Sequence, residues 1–288
     1  MDALRHLVEQ FDREQSLFEP DQLPQRLEAL DRLDAYFPYT PQPVAGVEAG
    51  LYRRARELCT RLEAANRELY EAIRGEIRRE SRSDTLLRWV NSPLGHEDGG
   101  GPSGVGYDYL DELISGVLEF EDPYAGDIQL EPEMVFYQPT PARHIFHLIG
   151  LTALTANDVL VDFGSGLGHV PLLVSICTHA SSIGIELETS YVERARQCAE
   201  RLNVKRVAFL HQDAREADLS EGTVFYLYTP FSGSILRRVL DRLRQEAVTR
   251  RIRICTYGPC TSVVAEEPWL EATAKPETDR IVVFSSLD

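Results

Sequence analysis

Apolar residues recur at spacings of three and four through the first ninety positions. Leu4, Leu7, Val8 and Phe11 fall on one helical face, as do Leu23, Leu27, Leu30 and Leu33. A longer stripe, Leu51, Ala55, Leu58, Leu62, Ala65, Leu69 and Ile73, predicts one helix over about 47–80. Pro20, Pro24, Pro38, Pro41 and Pro43 mark the joints, and Leu86 to Val90 predicts a further short turn of helix. Residues 95–106 are glycine-rich. They lack both a preceding strand and a Gly-Lys-Ser/Thr ending, so they read as a flexible linker or lid rather than a phosphate loop. Helical spacing returns between Tyr107 and Phe120 through Tyr109, Leu110, Leu113, Ile114, Val117 and Leu118.

From about residue 140 the period changes. Short apolar runs alternate with amphipathic stretches: strands at 159–163, 183–185, 207–210, 223–228 and 251–257, and helices at 168–178, 190–202 and 234–248. Such alternation predicts a doubly wound, Rossmann-like α/β sheet, mostly parallel. The segments 269–274 and 280–286, joined by a turn, predict an antiparallel hairpin at one edge. The expected organisation is therefore an all-helical N-terminal domain over 1–120, acting as a substrate lid, and an α/β domain over 121–288.

Composition narrows the function classes. The 288 residues include 43% hydrophobic and 26% charged, ordinary for a globular protein. The longest apolar run, Val170 to Cys177, is far below the ~20 residues of a membrane span. The start, Met1-Asp2-Ala3-Leu4-Arg5-His6, has neither the basic nor the apolar character of a secretory leader, so a cytoplasmic protein with no membrane association is expected. Five cysteines without a Cys-x-x-Cys pair suit a reducing compartment and argue against a zinc site of the usual spacing. The net charge is -16, with 14 basic and 23 acidic residues in the first 120 positions and 16 and 23 in the remainder. An acidic surface spread over the whole chain disfavours general nucleic-acid binding. Lys205 and Lys275 are the only lysines, which leaves almost no candidate for Schiff-base chemistry.

The most informative segment is Val161-Asp162-Phe163-Gly164-Ser165-Gly166-Leu167-Gly168-His169. Alternate glycines after a strand permit a tight turn and close approach of backbone to a ligand, beside the N-terminus of the next helix. A dinucleotide fingerprint needs its third glycine one position later, where His169 stands. Asp162 can accept hydrogen bonds from a cationic ligand or from loop amides. Glu186 ends the second strand, where a carboxylate can accept ribose hydroxyls or simply be solvated. Asp213 ends the third, where a carboxylate can accept from an exocyclic adenine amine.

With these residues in order, the chain resembles the class I S-adenosylmethionine-dependent methyltransferases. The match rests on Asp162-Phe163-Gly164-Ser165-Gly166-Leu167-Gly168, Gly184-Ile185-Glu186 and Gln212-Asp213-Ala214, within about residues 134–288. The resemblance implies that the Gly164, Ser165, Gly166 and Gly168 loop and Asp162 hold the methionine part of S-adenosyl-L-methionine. It also implies that Glu186 holds the ribose and Asp213, beside Ala214, the adenine. Upstream, Phe136-Tyr137-Gln138-Pro139-Thr140-Pro141 is similar to the entry segment of bacterial and archaeal relatives of the telomeric-silencing type of protein lysine methyltransferase. That likeness implies that Tyr137 and Thr140 close over the methionine end. The residues alone leave Tyr137 a core aromatic as an alternative, and make capping of the next helix the first expectation for Thr140, with Pro141 at the first helical position.

The acceptor side is less legible, because transfer from a sulfonium mainly requires alignment and exclusion of water. The fourth strand leads into Tyr226-Leu227-Tyr228-Thr229-Pro230-Phe231. Tyr228 and Thr229 stand where enzymes acting on base amines or glutamine carry Asp or Asn, which lowers the odds of such acceptors. Tyr137, Tyr228, Thr229 and His169 are the candidate catalytic residues, and Tyr228 is also a candidate cofactor contact. A plain Tyr-Thr-Pro turn is the alternative for the Tyr228-Thr229 pair. His144 and His147 share a helix face but lack a nearby third metal ligand, and His96 lies in the glycine-rich segment; no metal is expected. Arg237 to Arg253 holds seven arginines against Asp241 and Glu246, which reads first as a solvated helix face pairing with the chain's own acid. The expectation is methyl transfer to an amine or hydroxyl, with a basic protein side chain or small cationic amine favoured by the acidic surface. The rivals are a small-molecule N- or O-methyltransferase, a catalytically silent binding subunit and a nicotinamide enzyme. The oligomeric state stays open.

Overall fold

The computed structural model describes residues 2–37, 47–79, 84–90, 106–120 and 132–287. Most of the glycine-rich segment, including His96, lies outside them. The chain divides into two compact units, Met1–Gly75 and Glu76–Asp288. The division falls inside a helix.

In the first unit, α1 (Asp2–Arg13) buries the Leu4, Leu7, Val8 and Phe11 face expected of it. α2 (Leu23–Asp34) departs from expectation. Its buried face is Leu23, Arg26, Ala29 and Leu33, while Leu27 and Leu30 are half-buried. The Arg26 guanidinium is fully buried, donating to Asn66 Oδ1 (2.6 Å) and to the carbonyls of Leu17 (2.9 Å) and Glu19 (2.5 Å). α3 (Val47–Arg79) carries Leu51, Ala55, Leu58 and Leu62 into the same core.

The second unit contains α4 (Thr85–Val90) and α5 (Tyr109–Leu118), which packs on α6 (Ala142–Thr152). α5 is closed by a reciprocal capping box between Asp108 and Asp111. Asp111 also serves α6, where its other oxygen accepts the Ala142 N–H (2.8 Å) at the helix start. Thr140 therefore does not cap α6. Pro141 occupies the cap position, no side chain of that residue serves, and the acceptor comes from α5 instead.

The sheet comprises β1 (Val159–Phe163), β2 (Ser181–Glu186), β3 (Val207–His211), β4 (Val224–Leu227), β5 (Arg253–Thr256), β6 (Leu270–Ala272) and β7 (Val282–Ser286). Their order is β3-β2-β1-β4-β5-β7-β6. The first five run parallel, and β7 lies antiparallel to both β5 and β6. This is the doubly wound sheet with a terminal hairpin that the alternation predicted. Helices α7 (His169–Cys177), α8 (Thr189–Arg201) and α9 (Gly233–Thr249) form the crossovers. α9 buries Ile235, Leu236, Val239, Leu240 and Leu243 against Val161, Phe163, Phe225 and Ile254, a contribution of about 1.5–3 kcal/mol per side chain. A short helix, α10 (Cys260–Val264), was not anticipated, being too brief to show a period. Strand order changes direction at β1, whose neighbours are β2 and β4, so the crevice of a doubly wound sheet opens at the carboxyl ends of these strands.

Candidate functional site

A cavity of about 780 Å³ occupies that crevice. Its floor is the loop after β1, one wall is the end of β2 with the start of α8, and the other is the turn after β4. The segment 134–140 lies along its rim. The volume is in the range of small-molecule sites, ~300–1,000 Å³. Four carboxylates line it, those of Asp162, Glu186, Glu188 and Asp213, and among the described residues no Lys or Arg does.

Asp162 sits in β1 beside Gly184 of β2 and Tyr226 of β4. The residue is 4% exposed, and its carboxyl has no hydrogen-bond partner among the described residues. Burial, and then the charge of Glu186, raise its pKa well above the ordinary aspartate value. The Ser165 hydroxyl is a second orphan, buried and without a partner. Unsatisfied buried polar groups are rare and costly, so the Ser165 hydroxyl, on the same cavity wall as the Asp162 carboxyl, points to a ligand.

The glycine loop folds as its composition requires. Gly164 has φ +70°, and a Cβ there would stand 2.6 Å from the Pro230 side chain. Gly166 has φ +52°, and a Cβ there would overlap the Tyr137 ring. The loop amides, however, are spent internally. Gly164 and Ser165 donate to the Ile185 carbonyl (2.9 and 3.1 Å), and Gly166 donates to Glu186 Oε2 (2.8 Å). A loop so engaged is not an anion cradle.

Glu186 and Asp213 both line the cavity, and both are already held. Glu186 accepts from Gly166, Leu187 (2.7 Å) and Glu188 (2.9 Å) backbone N–H groups, leaving one of a carboxylate's roughly four acceptor sites. Asp213 accepts from the backbone and guanidinium of Arg215, with Nη2 at 2.7 Å, and this partner holds its pKa below the ordinary value. Arg215 carried no role in the sequence reading. Ala214 completes this edge of the cavity.

Tyr137 lies over Gly166, its ring 5.0 Å from Tyr191 and its hydroxyl 3.3 Å from His169 Nδ1. Burial raises the phenol pKa and lowers that of His169 to about 4, so at neutral pH the imidazole is uncharged, and the direction of its bond with the phenol follows the tautomer. Tyr191, one of the first residues of α8, was missed; an aromatic in the first turn after Glu186 was the available signal. Thr140 Oγ1 meets the Tyr226 hydroxyl at 3.1 Å, joining the rim to β4.

On the acceptor side, the ring of Tyr228 stacks on Tyr257 at 4.5 Å, and the other neighbour of Tyr257 is the tilted ring of His144 at 4.3 Å. His144 is thus a core contact. Thr229 departs from its expected role. At φ +41° its hydroxyl donates to the Tyr257 carbonyl (3.1 Å) and accepts the Cys260 N–H (3.1 Å), fastening α10 to the turn. It borders the cavity, but its hydroxyl is committed to the fold. Phe231 is buried against Phe163 and belongs to the core. The arginine run is also largely committed. Arg242 and Arg250 bind backbone carbonyls, Arg253 pairs with Asp158 (3.0 Å), and Arg237 pairs with Glu267 and Asp241.

No family model matches the chain, and no curated protein does. About half of the chain is similar to parts of several solved structures. An RNA methyltransferase from Salinibacter ruber in complex with S-adenosyl-L-homocysteine is 24% identical, covering 52% of this chain and 92% of its own, with TM-score 0.42. A putative S-adenosyl-L-methionine-dependent methyltransferase from Methanococcus maripaludis is 12% identical, covering 50% and 84%, with TM-score 0.41. The tRNA (uracil-54, C5)-methyltransferase of Pyrococcus abyssi, also in complex with S-adenosyl-L-homocysteine, is 18% identical, covering 53% of this chain and 40% of its own, with TM-score 0.38.

Proposed function

We propose that the second unit is an S-adenosyl-L-methionine-dependent methyltransferase acting on an amine or hydroxyl. The observation that carries the reading is the buried, unpartnered Asp162 carboxyl in a cavity lined by four carboxylates. Such a wall attracts a ligand that is cationic and rich in donors. It repels a pyrophosphate, and the loop amides a dinucleotide would need are already bonded within the protein. The residues therefore fit a sulfonium nucleoside with an amino-acid tail better than a nicotinamide dinucleotide.

On this reading Asp162 and the Ser165 hydroxyl take the donors of the amino-acid tail. Glu186 uses its remaining acceptor site for a ribose hydroxyl, and Asp213, fixed by Arg215, faces the adenine edge. The cofactor supplies a methyl group already activated by positive sulfur. The chain's own residues have to orient the acceptor and exclude water. Tyr137 closes the loop side, and Tyr228, backed by Tyr257, forms the opposite wall. His169, neutral at physiological pH, fixes the Tyr137 hydroxyl through the hydrogen bond they share.

For the acceptor we infer a cationic amine or a basic protein side chain. The cavity lining and the net charge of -16 support this, since both favour cations over polyphosphates. Calorimetry with S-adenosyl-L-homocysteine and with NAD tests the cofactor half: uptake of the first alone is expected, and uptake of neither overturns it. Incubation with methyl-labelled cofactor and a cell lysate tests the acceptor half. Label in protein or in small amines supports it, and label confined to RNA overturns it.

A further inference from the structure

We infer that Glu133 is a positioning residue that holds Tyr137 over the glycine loop by clamping the rim segment to the first turn of α9. This rests on the methyltransferase reading only for what Tyr137 covers.

The helix α9 lacks a cap of its own. Ser232, at its N-cap, makes no side-chain cap bond; its backbone N–H (2.8 Å) and its hydroxyl (3.4 Å) both donate to the Glu133 carbonyl. The orphan donors at the helix start are met from about a hundred residues upstream. Glu133 Oε2 accepts from the Ser234 hydroxyl (2.8 Å) and from the Ile235 N–H (3.0 Å), and these bonds hold its pKa below the ordinary glutamate value. A carboxylate at a helix N-terminus is also favoured by the macrodipole.

The surroundings are shaped around this contact. Gly233 has φ +53°, and a Cβ there would overlap the Glu133 carboxylate. Two further links follow along the chain: an antiparallel bridge between Met134 and Phe231, and a bond from Val135 N–H to the Pro230 carbonyl (3.2 Å). The far end of the segment is tied by the Tyr107 hydroxyl to the Pro139 carbonyl (2.9 Å) and by Thr140 to Tyr226. Between these two ties stands Tyr137. The same clamp thus fixes Tyr137 to the turn that carries Tyr228, so the two aromatic walls are held in one frame. Phe136, 82% exposed, contributes little packing to hold the segment down, which leaves the clamp as the near anchor.

The test compares wild type, Glu133→Ala, Glu133→Gln, Tyr137→Ala and the double variant Glu133→Ala/Tyr137→Ala. Calorimetry with S-adenosyl-L-homocysteine should show Glu133→Ala binding about five-fold more weakly, the equilibrium equivalent of one helix cap. Glu133→Gln, whose amide oxygen can still accept the Ile235 N–H, should recover most of that loss. The double variant should bind no more weakly than Tyr137→Ala alone, because the glutamate acts through the tyrosine. A wild-type affinity in Glu133→Ala, or losses that add in full, overturns the proposal. Hydrogen exchange on the ligand-free protein tests the clamp without any ligand. Glu133→Ala should speed exchange at Val135 and Ile235 relative to the sheet, and unchanged protection there overturns it. A wild type that takes up no S-adenosyl-L-homocysteine sinks the methyltransferase reading, and the exchange arm then decides the clamp by itself.

Discussion

Replacing Asp162 by Asn should stabilise the ligand-free protein while crippling its binding of cofactor. The residue is 4% exposed, and its carboxyl has no hydrogen-bond partner among the described residues and lies close enough to Glu186 for that charge to raise its pKa further. A raised carboxyl pKa means that the folded state holds the proton more tightly than the unfolded state does. Stability is then fully present below the ordinary aspartate range and is lost as pH rises through that range toward the raised value. Asparagine cannot ionise, so the loss disappears. The asparagine amide bears the same cost of about 1–3 kcal/mol for an unsatisfied polar group that the neutral carboxyl bears, so the gain is the ionisation contribution alone, about 1.4 kcal/mol for each pH unit above the ordinary aspartate value until the raised value is reached. For a unit the size of Glu76–Asp288, each kcal/mol moves Tm by about 2–4 °C.

The assay is differential scanning fluorimetry of both proteins from pH 4 to 8. The Tm of Asp162→Asn should exceed wild type by several degrees at pH 7–8, and the gap should close toward pH 4. Calorimetry with S-adenosyl-L-homocysteine, which keeps the ammonium group, should show the opposite sign. Losing a charge-assisted bond of about 1.5–3 kcal/mol weakens binding by roughly 10- to 150-fold. A variant less stable than wild type at pH 7, or a Tm gap that does not change with pH, would refute the electrostatic account. An unchanged affinity would refute the assignment of Asp162 to the ligand.

Gly166→Ala must adopt φ +52° and displaces the Tyr137 ring, so it should cost about 1–3 kcal/mol of stability and weaken S-adenosyl-L-homocysteine binding at least as much as Tyr137→Ala, both read by thermal melting and calorimetry. Thr229→Val removes the hydroxyl that joins the Tyr257 carbonyl to the Cys260 N–H; it should cost about 1 kcal/mol while leaving cofactor affinity within about two-fold, and a selective loss of turnover would restore Thr229 to the catalytic set. In the first unit, Arg26→Met leaves the buried Leu17 carbonyl and Asn66 amide oxygen unpaired, so urea unfolding should show a loss of about 1–3 kcal/mol despite the removal of a buried charge.

The sheet and its ligand edge were legible because buried parallel strands are short apolar runs, and the turn after β1 requires glycines at φ values other residues avoid. Asp162, Glu186 and Asp213 could be placed at strand ends from spacing alone, and all three line one cavity. What spacing did not reveal was which of their lone pairs were already in use. Glu186 is occupied by its own loop and Asp213 by Arg215, contacts that depend on side-chain reach rather than period. Thr140 and Thr229 show the same limit in opposite senses. Thr140 had the local signature of a cap, yet the cap comes from Asp111, 31 residues from the amide it serves, and the threonine hydroxyl bonds Tyr226 instead. Thr229 had the position of an acceptor-orienting group, yet its hydroxyl fastens α10, a helix too short to be seen in the pattern. Arg26 and Glu133 gave no local signal, since the side chain that Arg26 meets and the helix start that Glu133 serves lie 40 and about 100 residues along the chain.

The charge of the molecule and the charge of its cavity bear on the proposed reaction together. A net charge of -16 spread over a surface says little about a site, because salt screens exposed groups beyond about 8–10 Å. Four carboxylates around one 780 Å³ cavity are another matter, since low-dielectric walls strengthen their field inside it. The loop amides that would offset this field are turned toward Ile185 and Glu186; Arg215 compensates Asp213, and burial favours the protonated form of Asp162, so the net field comes chiefly from Glu186 and Glu188. A cavity so biased discriminates between ligands that differ by one positive charge. On the proposed reading, methyl transfer removes a positive charge from sulfur, so the same walls that draw in the reactant hold the product less firmly. Removing one wall charge by Glu188→Gln should then narrow the affinity difference between the sulfonium and its demethylated form, and a difference unchanged by that substitution would place the discrimination in shape rather than charge.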